Sequence, residues 1–263
     1  MKMLFKKAIC LLSSAVLLCG ASAIPASADT TTAYNPSASS RPSTTTTADT
    51  GRSSGRVGRL KYYLDTSDFD LAKGEIVAMV GPSGSGKSTL LQCVGLLDKP
   101  TGGDIFINGA PVDKISEDTR TMLRRKKIGF VYQKHNLLSD FTALENVVLP
   151  MLANGVDESV ANNRAMKLLK ATNVAHRASH YPSEMSGGEQ QRVAIARAIA
   201  NTPEILLADE PTGSLDPQNA INVFDLLLDL VRKNKMTLLF VTHDMNLAKN
   251  ADRIITIKNG IVK

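Results

Sequence analysis

Gly81-Pro82-Ser83-Gly84-Ser85-Gly86-Lys87-Ser88 follows an apolar run, Glu75 to Val80, and precedes a helical pattern that runs from about Lys87 to Leu97. This spacing, G-x-x-x-x-G-K-[ST] between strand and helix, is chemistry for holding phosphate. Glycines let backbone N–H groups turn inward onto phosphate oxygens, and the helix N-terminus adds the positive end of its dipole. Lys87 is set to meet the β- and γ-phosphates, and the Ser88 hydroxyl, with Thr89 beside it, to serve a Mg²⁺ ion. A second fragment, "ILLADEP", carries Asp209 to the end of an apolar strand with Glu210 next to it. Ligands of open parallel sheets collect at that edge. There Asp209 would hold Mg²⁺ through water, and Glu210 would orient and polarise an attacking water.

A third fragment, "MSGGEQQRVAIARA", places Ser186-Gly187-Gly188 just ahead of a helix that begins near Glu189. By the same dipole logic this is another anion cradle, far along the chain from the first. One chain needs only one such cradle for a triphosphate. A second is useful if it closes over the nucleotide of another copy, which implies a head-to-tail dimer with two nucleotides between the chains.

With "SGGEQQR" as signature, the sequence resembles the ATP-binding subunits of ABC transporters. That resemblance implies ATP and Mg²⁺ as cofactors and ATP hydrolysis coupled to transport. It gives roles to further residues by position. Gln133, after the strand "IGFVYQ", corresponds to a glutamine that reaches Mg²⁺ and water. His243 in "VTHD" corresponds to a histidine at the γ-phosphate. Ser186, Gly187, Gly188 and Glu189 would contact the partner copy's nucleotide. "GSLDP" (Gly213 to Pro217) is similar to the loop that addresses the opposite subunit, with Ser214 where asparagine is common. His135, His176 and His180 fit no such slot and read as ordinary. "GLLDKPTGGD", "HNLLSDFTALENVVLPML" and "THDMNLA" narrow the likeness to the LolD-type subunit of the lipoprotein-releasing system, from about Asp68 to Lys263. Related macrolide and antimicrobial-peptide exporters share much of the rest. The LolD likeness implies integral inner-membrane permease partners, docked on the segment after Gln133, and a place on the cytoplasmic face of the bacterial inner membrane.

The elements that must position these residues alternate in kind. "EIVAMV", "IGFVYQ", "EILLAD", "LLFVTH" and "RIITIK" read as strands, and "DIFINGAPV" as a hairpin around Asn108-Gly109. Helical patterns lie between them, notably Glu189 to Ala200 and Pro217 to Val231. Asp216 is the expected N-cap of the latter, with Pro217 at its first position. The expected fold is therefore α/β, a P-loop NTPase with a mainly parallel central sheet and a small antiparallel part. A helical subdomain is expected over about 134–188.

Composition bounds the rest. The 263 residues carry a net charge of +6, with 43% hydrophobic and 21% charged residues, as in a soluble globular chain. The basic run Arg124 to Lys127 lacks interleaved aromatics, which argues against a single-stranded nucleic-acid platform; it reads as a solvated helix end. Only Cys93 lies in the body, so no internal disulfide is expected there.

Residues 1–28 form a signal-peptide-like leader, with Lys2, Lys6 and Lys7 before an apolar stretch and small-residue sites at Ala21-Ser22-Ala23 and Ala26-Ser27-Ala28. Residues 29–59 read as a disordered Ser/Thr-rich linker. Relative to the family, the ATP-binding domain (60–263) lacks its first strand and adenine-stacking aromatic. The body is expected in the cytoplasm despite the leader, with ATP binding weakened by the lost stacking contact.

Overall fold

The computed structural model describes residues 62–64, 67–100, 102–112, 114–258 and 260–262. The expected leader (1–28) and linker (29–59) lie outside the described residues, as does Leu60.

Five strands form the central layer: β3 (Ile76–Val80), β6 (Ile128–Val131), β7 (Ile205–Asp209), β8 (Thr237–Val241) and β9 (Arg253–Lys258). With β10 (Ile261–Val262) they make one six-stranded sheet in the order β10-β9-β3-β8-β7-β6. All neighbours are parallel except β9 and β10. Two short antiparallel hairpins stand apart: β1 (Tyr62–Leu64) with β2 (Ser67–Phe69), and β4 (Phe106–Ile107) with β5 (Ala110–Pro111).

The central strands are apolar throughout because both faces are covered. Val77, Met79, Leu207, Leu239 and Val241 face one core, together with Leu90, Leu91 and Val94 of α1 (Lys87–Val94). Their alternates Ile76, Ala78, Val80, Leu206, Leu238 and Phe240 face a second. There they meet Ile195 and Ile199, at the end of α5 (Gly187–Ala198), and the apolar stripe Val223, Phe224, Leu227 and Val231 of α6 (Pro217–Lys233). Asp216 caps α6 by accepting from Asn219 N at 3.1 Å, and Pro217 opens it, as its sequence predicts.

A helical layer sits beside the sheet. It contains α3 (Ala143–Ala153) and α4 (Glu158–Ala171), preceded in the chain by α2 (Glu117–Lys127), which leads into β6. Thr142 and Glu145 close a capping box at the start of α3. The third core joins Val147, Met151, Ala161, Ala165 and Leu169 to Val193 and Ala196. Helix α5 thus belongs to both layers: Val193 and Ala196 face the helices, while Ile195 faces the sheet.

The basic run at the end of α2 is not merely a solvated helix end. The Arg124 guanidinium donates to the Leu96 carbonyl at 2.6 Å, and the buried Arg120 donates to the same oxygen at 3.0 Å. Leu96 has φ 58°, so the two arginines hold a left-handed residue in place after α1. Lys127 pairs with Glu204.

Candidate active site

The carboxyl ends of β3, β6, β7 and β8 lie side by side, and each delivers one part of the site. After β3 comes the glycine loop. Gly81 has φ 150°, and a Cβ there would lie 2.1 Å from the Ile257 carbonyl oxygen, so no other residue fits. Gly84 and Gly86 also take left-handed φ, 75° and 99°, which shapes the loop around the start of α1. Pro82, Ser83 and Gly84 are exposed at its rim, with Ser88 and Thr89 exposed on the first turn of the helix.

Two features of the loop fit a polyphosphate. The Ser85 hydroxyl is buried without a hydrogen-bond partner. Lys87 is a buried residue, only 9% exposed, and its ammonium donates to the carbonyls of Gly81 and Pro82 at 2.9 and 2.8 Å. A lysine held inside a ring of backbone groups at a helix N-terminus is a ready counter-charge for phosphate.

Asp209 ends β7 opposite the loop. The Ser88 hydroxyl donates to its Oδ1 at 3.2 Å. Burial pushes the Asp209 carboxyl above the usual carboxylate range, the Glu210 charge pushes the same way, and the Ser88 hydrogen bond and Lys87 oppose them. Two hard oxygen donors facing one another beside a phosphate loop fit Mg²⁺, which takes few protein ligands and completes its shell with phosphate and water.

Glu210 occupies a left-handed conformation, φ 44°. Its N–H donates to the Val241 carbonyl at 3.1 Å, and its Oε1 lies 3.4 Å from His243 Nδ1. Gln133, two residues beyond the end of β6, approaches from the other side. A Cβ on Gly213 would lie 2.8 Å from Gln133 Nε2 and 3.1 Å from Glu210 Oε2, so the two side chains converge over that glycine. Ser214 donates to the Gln133 carbonyl at 3.0 Å. The predicted Gln133, Glu210 and His243 are therefore brought together, next to Asp209 and Ser88.

Ser186, Gly187, Gly188 and Glu189 are placed elsewhere, at the N-terminus of α5. Among the described residues, no hydrogen bond or ion pair joins them to 81–89. Ser186 and Glu189 form a capping box: Ser186 N donates to Glu189 Oε2 at 2.8 Å, and Glu189 N to Ser186 Oγ at 3.3 Å. Glu189 Oε1 accepts from Arg177 Nε at 2.8 Å and lies 3.4 Å from His176 Nε2. The Arg177 hydrogen bond, with further help from Ser186, holds the Glu189 carboxyl down at about 2, against a desolvation that works the other way. Glu189 thus shapes the cradle through its own chain.

Sequence reasoning missed Gln191, which the structure places against His135. Gln191 is fully buried; its Nε2 donates to the Pro211 carbonyl at 2.5 Å and the Tyr132 carbonyl at 3.3 Å, and its Oε1 meets His135 Nδ1. Its signal in the sequence was weak: one glutamine in a polar triplet whose neighbours Glu189 and Gln190 are part-exposed.

The comparisons agree with this geometry. The family model for ABC transporters matches residues 64–213. The lipoprotein-releasing system ATP-binding protein LolD of Paramagnetospirillum magneticum is 51% identical over 199 residues, covering 76% of this chain and 88% of that one. LolD 1 of Rhodospirillum rubrum is 53% identical over the same coverage, 76% and 88%. Among solved structures, the dimeric post-hydrolysis state of the ATP-binding cassette MJ0796, bound to ADP and Pi, superposes with a TM-score of 0.69 at 39% identity, covering 79% of this chain and 96% of that one. A second dimeric structure of the MJ0796 cassette, described as a bacterial ABC transporter cassette, gives 0.70 at 41% identity, with coverage of 79% and 94%. Among the described residues no helix is long and apolar enough to cross a membrane. The chain belongs to the ABC transporter family as an ATP-binding subunit of the LolD type, and it is an ATPase.

Proposed function

We propose that the chain hydrolyses ATP to power the release of lipoproteins from a bacterial inner membrane, working as a homodimer on the cytoplasmic face beneath integral permease subunits. The observation that carries this reading is the placement of two anion cradles on one chain. No hydrogen bond or ion pair joins the Lys87 loop to the Ser186 cradle among the described residues, which leaves each free to be completed by a second copy. The lipoprotein assignment rests on the names of the LolD relatives.

ATP with Mg²⁺ supplies the scissile phosphoanhydride and a cation that neutralises charge on the terminal phosphates. Lys87 and the N–H groups of 81–88 would hold the phosphates, Ser88 and Asp209 would hold the metal, and Gln133 would add a contact to metal and water. Glu210 is the group set to orient the attacking water and draw its proton. His243, against Glu210, would face the γ-phosphate. The cradle of Ser186, Gly187 and Gly188, shaped by Glu189, would close on the other copy's nucleotide. Loss of the γ-phosphate removes the contacts that bind the two copies, and the dimer opens.

The test is reconstitution of the full chain with the lipoprotein-releasing permease subunits of its host in liposomes carrying a lipoprotein. Mg²⁺-ATP should drive lipoprotein release, and Glu210→Gln should abolish it. ATP turnover that the permeases do not alter, with no lipoprotein released, would overturn the assignment.

A further inference from the structure

Three backbone residues near the site take left-handed conformations without being glycine: Glu210 (φ 44°), His135 (φ 25°) and Asn136 (φ 48°). Such residues are strained and persist only where their surroundings over-determine them. Two side chains of one helix, α5, reach the segments that carry them: Gln191 and Arg197. The Gln191 amide donates to the carbonyl of Pro211, the residue after Glu210, at 2.5 Å, and to the carbonyl of Tyr132, the residue before Gln133, at 3.3 Å. Its Oε1 meets His135 Nδ1. Six residues on, the Arg197 guanidinium donates to the carbonyls of His135 and Asn136 at 2.9 and 2.6 Å. The His135 ring also lies by the head of the helix: a Cβ on Gly187 would be 3.9 Å from its Nε2.

We propose that Gln191 is a positioning residue that fixes the Gln133 segment, the Glu210 turn and the Ser186 cradle relative to one another. A fully buried amide with its oxygen and nitrogen both engaged has one orientation. Displacing the segment after Gln133 therefore displaces the Glu210 turn and the head of α5 with it. Permease motion and the geometry of hydrolysis would pass through this one side chain. The proposal rests on the ATPase reading above and adds to it a residue that touches neither nucleotide nor metal.

The experiment uses the full chain, with Gln191→Met to keep the volume and Gln191→Glu to keep the shape while setting a carboxylate against two carbonyl oxygens. Binding-competent chains are counted with a fluorescent ATP analogue, and kcat is expressed per such chain, which removes any loss from misfolding. Because the sequence contains no tryptophan, Ser139→Trp on the exposed segment after Gln133 gives a single emission reporter. Both Gln191 variants should lose about 10- to 100-fold in kcat per competent chain, the range a misplacement of about 1 Å imposes. The KM for ATP should change less than about threefold, and the Ser139→Trp emission change on adding Mg²⁺-ATP should disappear. An unchanged kcat per competent chain, or an emission change that survives Gln191→Met, would overturn the proposal. A chain with Gln191 intact that binds Mg²⁺-ATP and does not hydrolyse it would count against the hydrolysis reading instead, and the emission comparison would still decide the role of Gln191.

Discussion

His243 Nδ1 stands 3.4 Å from Glu210 Oε1, joining the segment after β8 to the residue after β7. The Glu210 N–H donates to Val241 in the same neighbouring strand. Backbone and side chain of Glu210 thus meet β8 and the segment that follows it, which together with the Gln191 bond to Pro211 keeps a glutamate at φ 44°.

Glu210→Gln keeps the shape and most hydrogen bonds and removes the proposed base. Turnover should fall about 10²- to 10³-fold, in line with loss of a positioned proton acceptor. The affinity for ATP should stay within about threefold, because the phosphate contacts come from 81–88. Steady-state kinetics with equilibrium nucleotide binding checks both. An equal loss of binding and turnover would place Glu210 in nucleotide holding instead.

Asp209 gives a prediction with opposite signs for stability and function. Burial raises its carboxyl above the ordinary range, so the ionised form is disfavoured by folding in the absence of metal. Asp209→Asn removes that charge while keeping an acceptor for Ser88. The metal-free variant should melt at a higher temperature than wild type at pH 7, yet lose Mg²⁺-dependent turnover by about 10²-fold or more. Melting scans with and without Mg²⁺-ATP make the comparison: the ligand should raise the wild-type midpoint more than the variant's.

The sheet was legible because its strands are buried on both faces and so read as unbroken apolar runs such as "ILLAD" and "TLLFV". The glycine loop was legible because Gly81, Gly84 and Gly86 have backbone conformations that few other residues adopt. Glu210 was singled out beside Asp209 at a strand end, and Gln133 and His243 through the family resemblance. Their convergence over Gly213 is a tertiary fact that no local spacing encodes. Arg120 and Gln191 went unread, and Arg124 was read as solvated, for one shared reason. A polar side chain on a helix is by default solvent-facing, and these three instead turn inward to backbone carbonyls supplied by distant loops. The demand for their hydrogen bonds comes from left-handed or irregular backbone at 96, 135 and 210, which exists only once the chain is folded.

Gly81→Ala tests the close approach of the glycine loop to the sheet. The added Cβ would meet the Ile257 carbonyl oxygen at 2.1 Å and would hold a left-handed φ, so either β9 or the loop must move. The expected loss is about 2–4 kcal/mol of stability, or displacement of the loop with loss of ATP binding. Gly102→Ala, at an exposed position with open space around the new methyl, is the control and should fall within about 0.5 kcal/mol of wild type. Urea unfolding midpoints separate the two. Equal stability and equal nucleotide affinity for both variants would contradict the packing described for β3 and β9.

The Arg177–Glu189 pair ties the shape of the Ser186 cradle to pH. Glu189 is held at about 2, against an ordinary 4.5, chiefly by the Arg177 hydrogen bond. A depressed carboxyl stabilises the fold above its unfolded value and loses that contribution as pH falls through its folded value. The contribution is therefore whole at pH 7, declines below about pH 4.5 and is gone near pH 2. Arg177 is 35% exposed, so screening trims it to on the order of 2 kcal/mol. Arg177→Ala should be less stable than wild type by about that amount at pH 7, and the gap should narrow steadily between pH 4.5 and pH 3. Urea titrations of both proteins over that range measure it. Glu189→Gln, which cannot ionise, should show a far weaker dependence on Arg177 at any pH. A gap that stays constant from pH 7 to pH 3 would mean that Arg177 acts on the cradle by packing and not by charge.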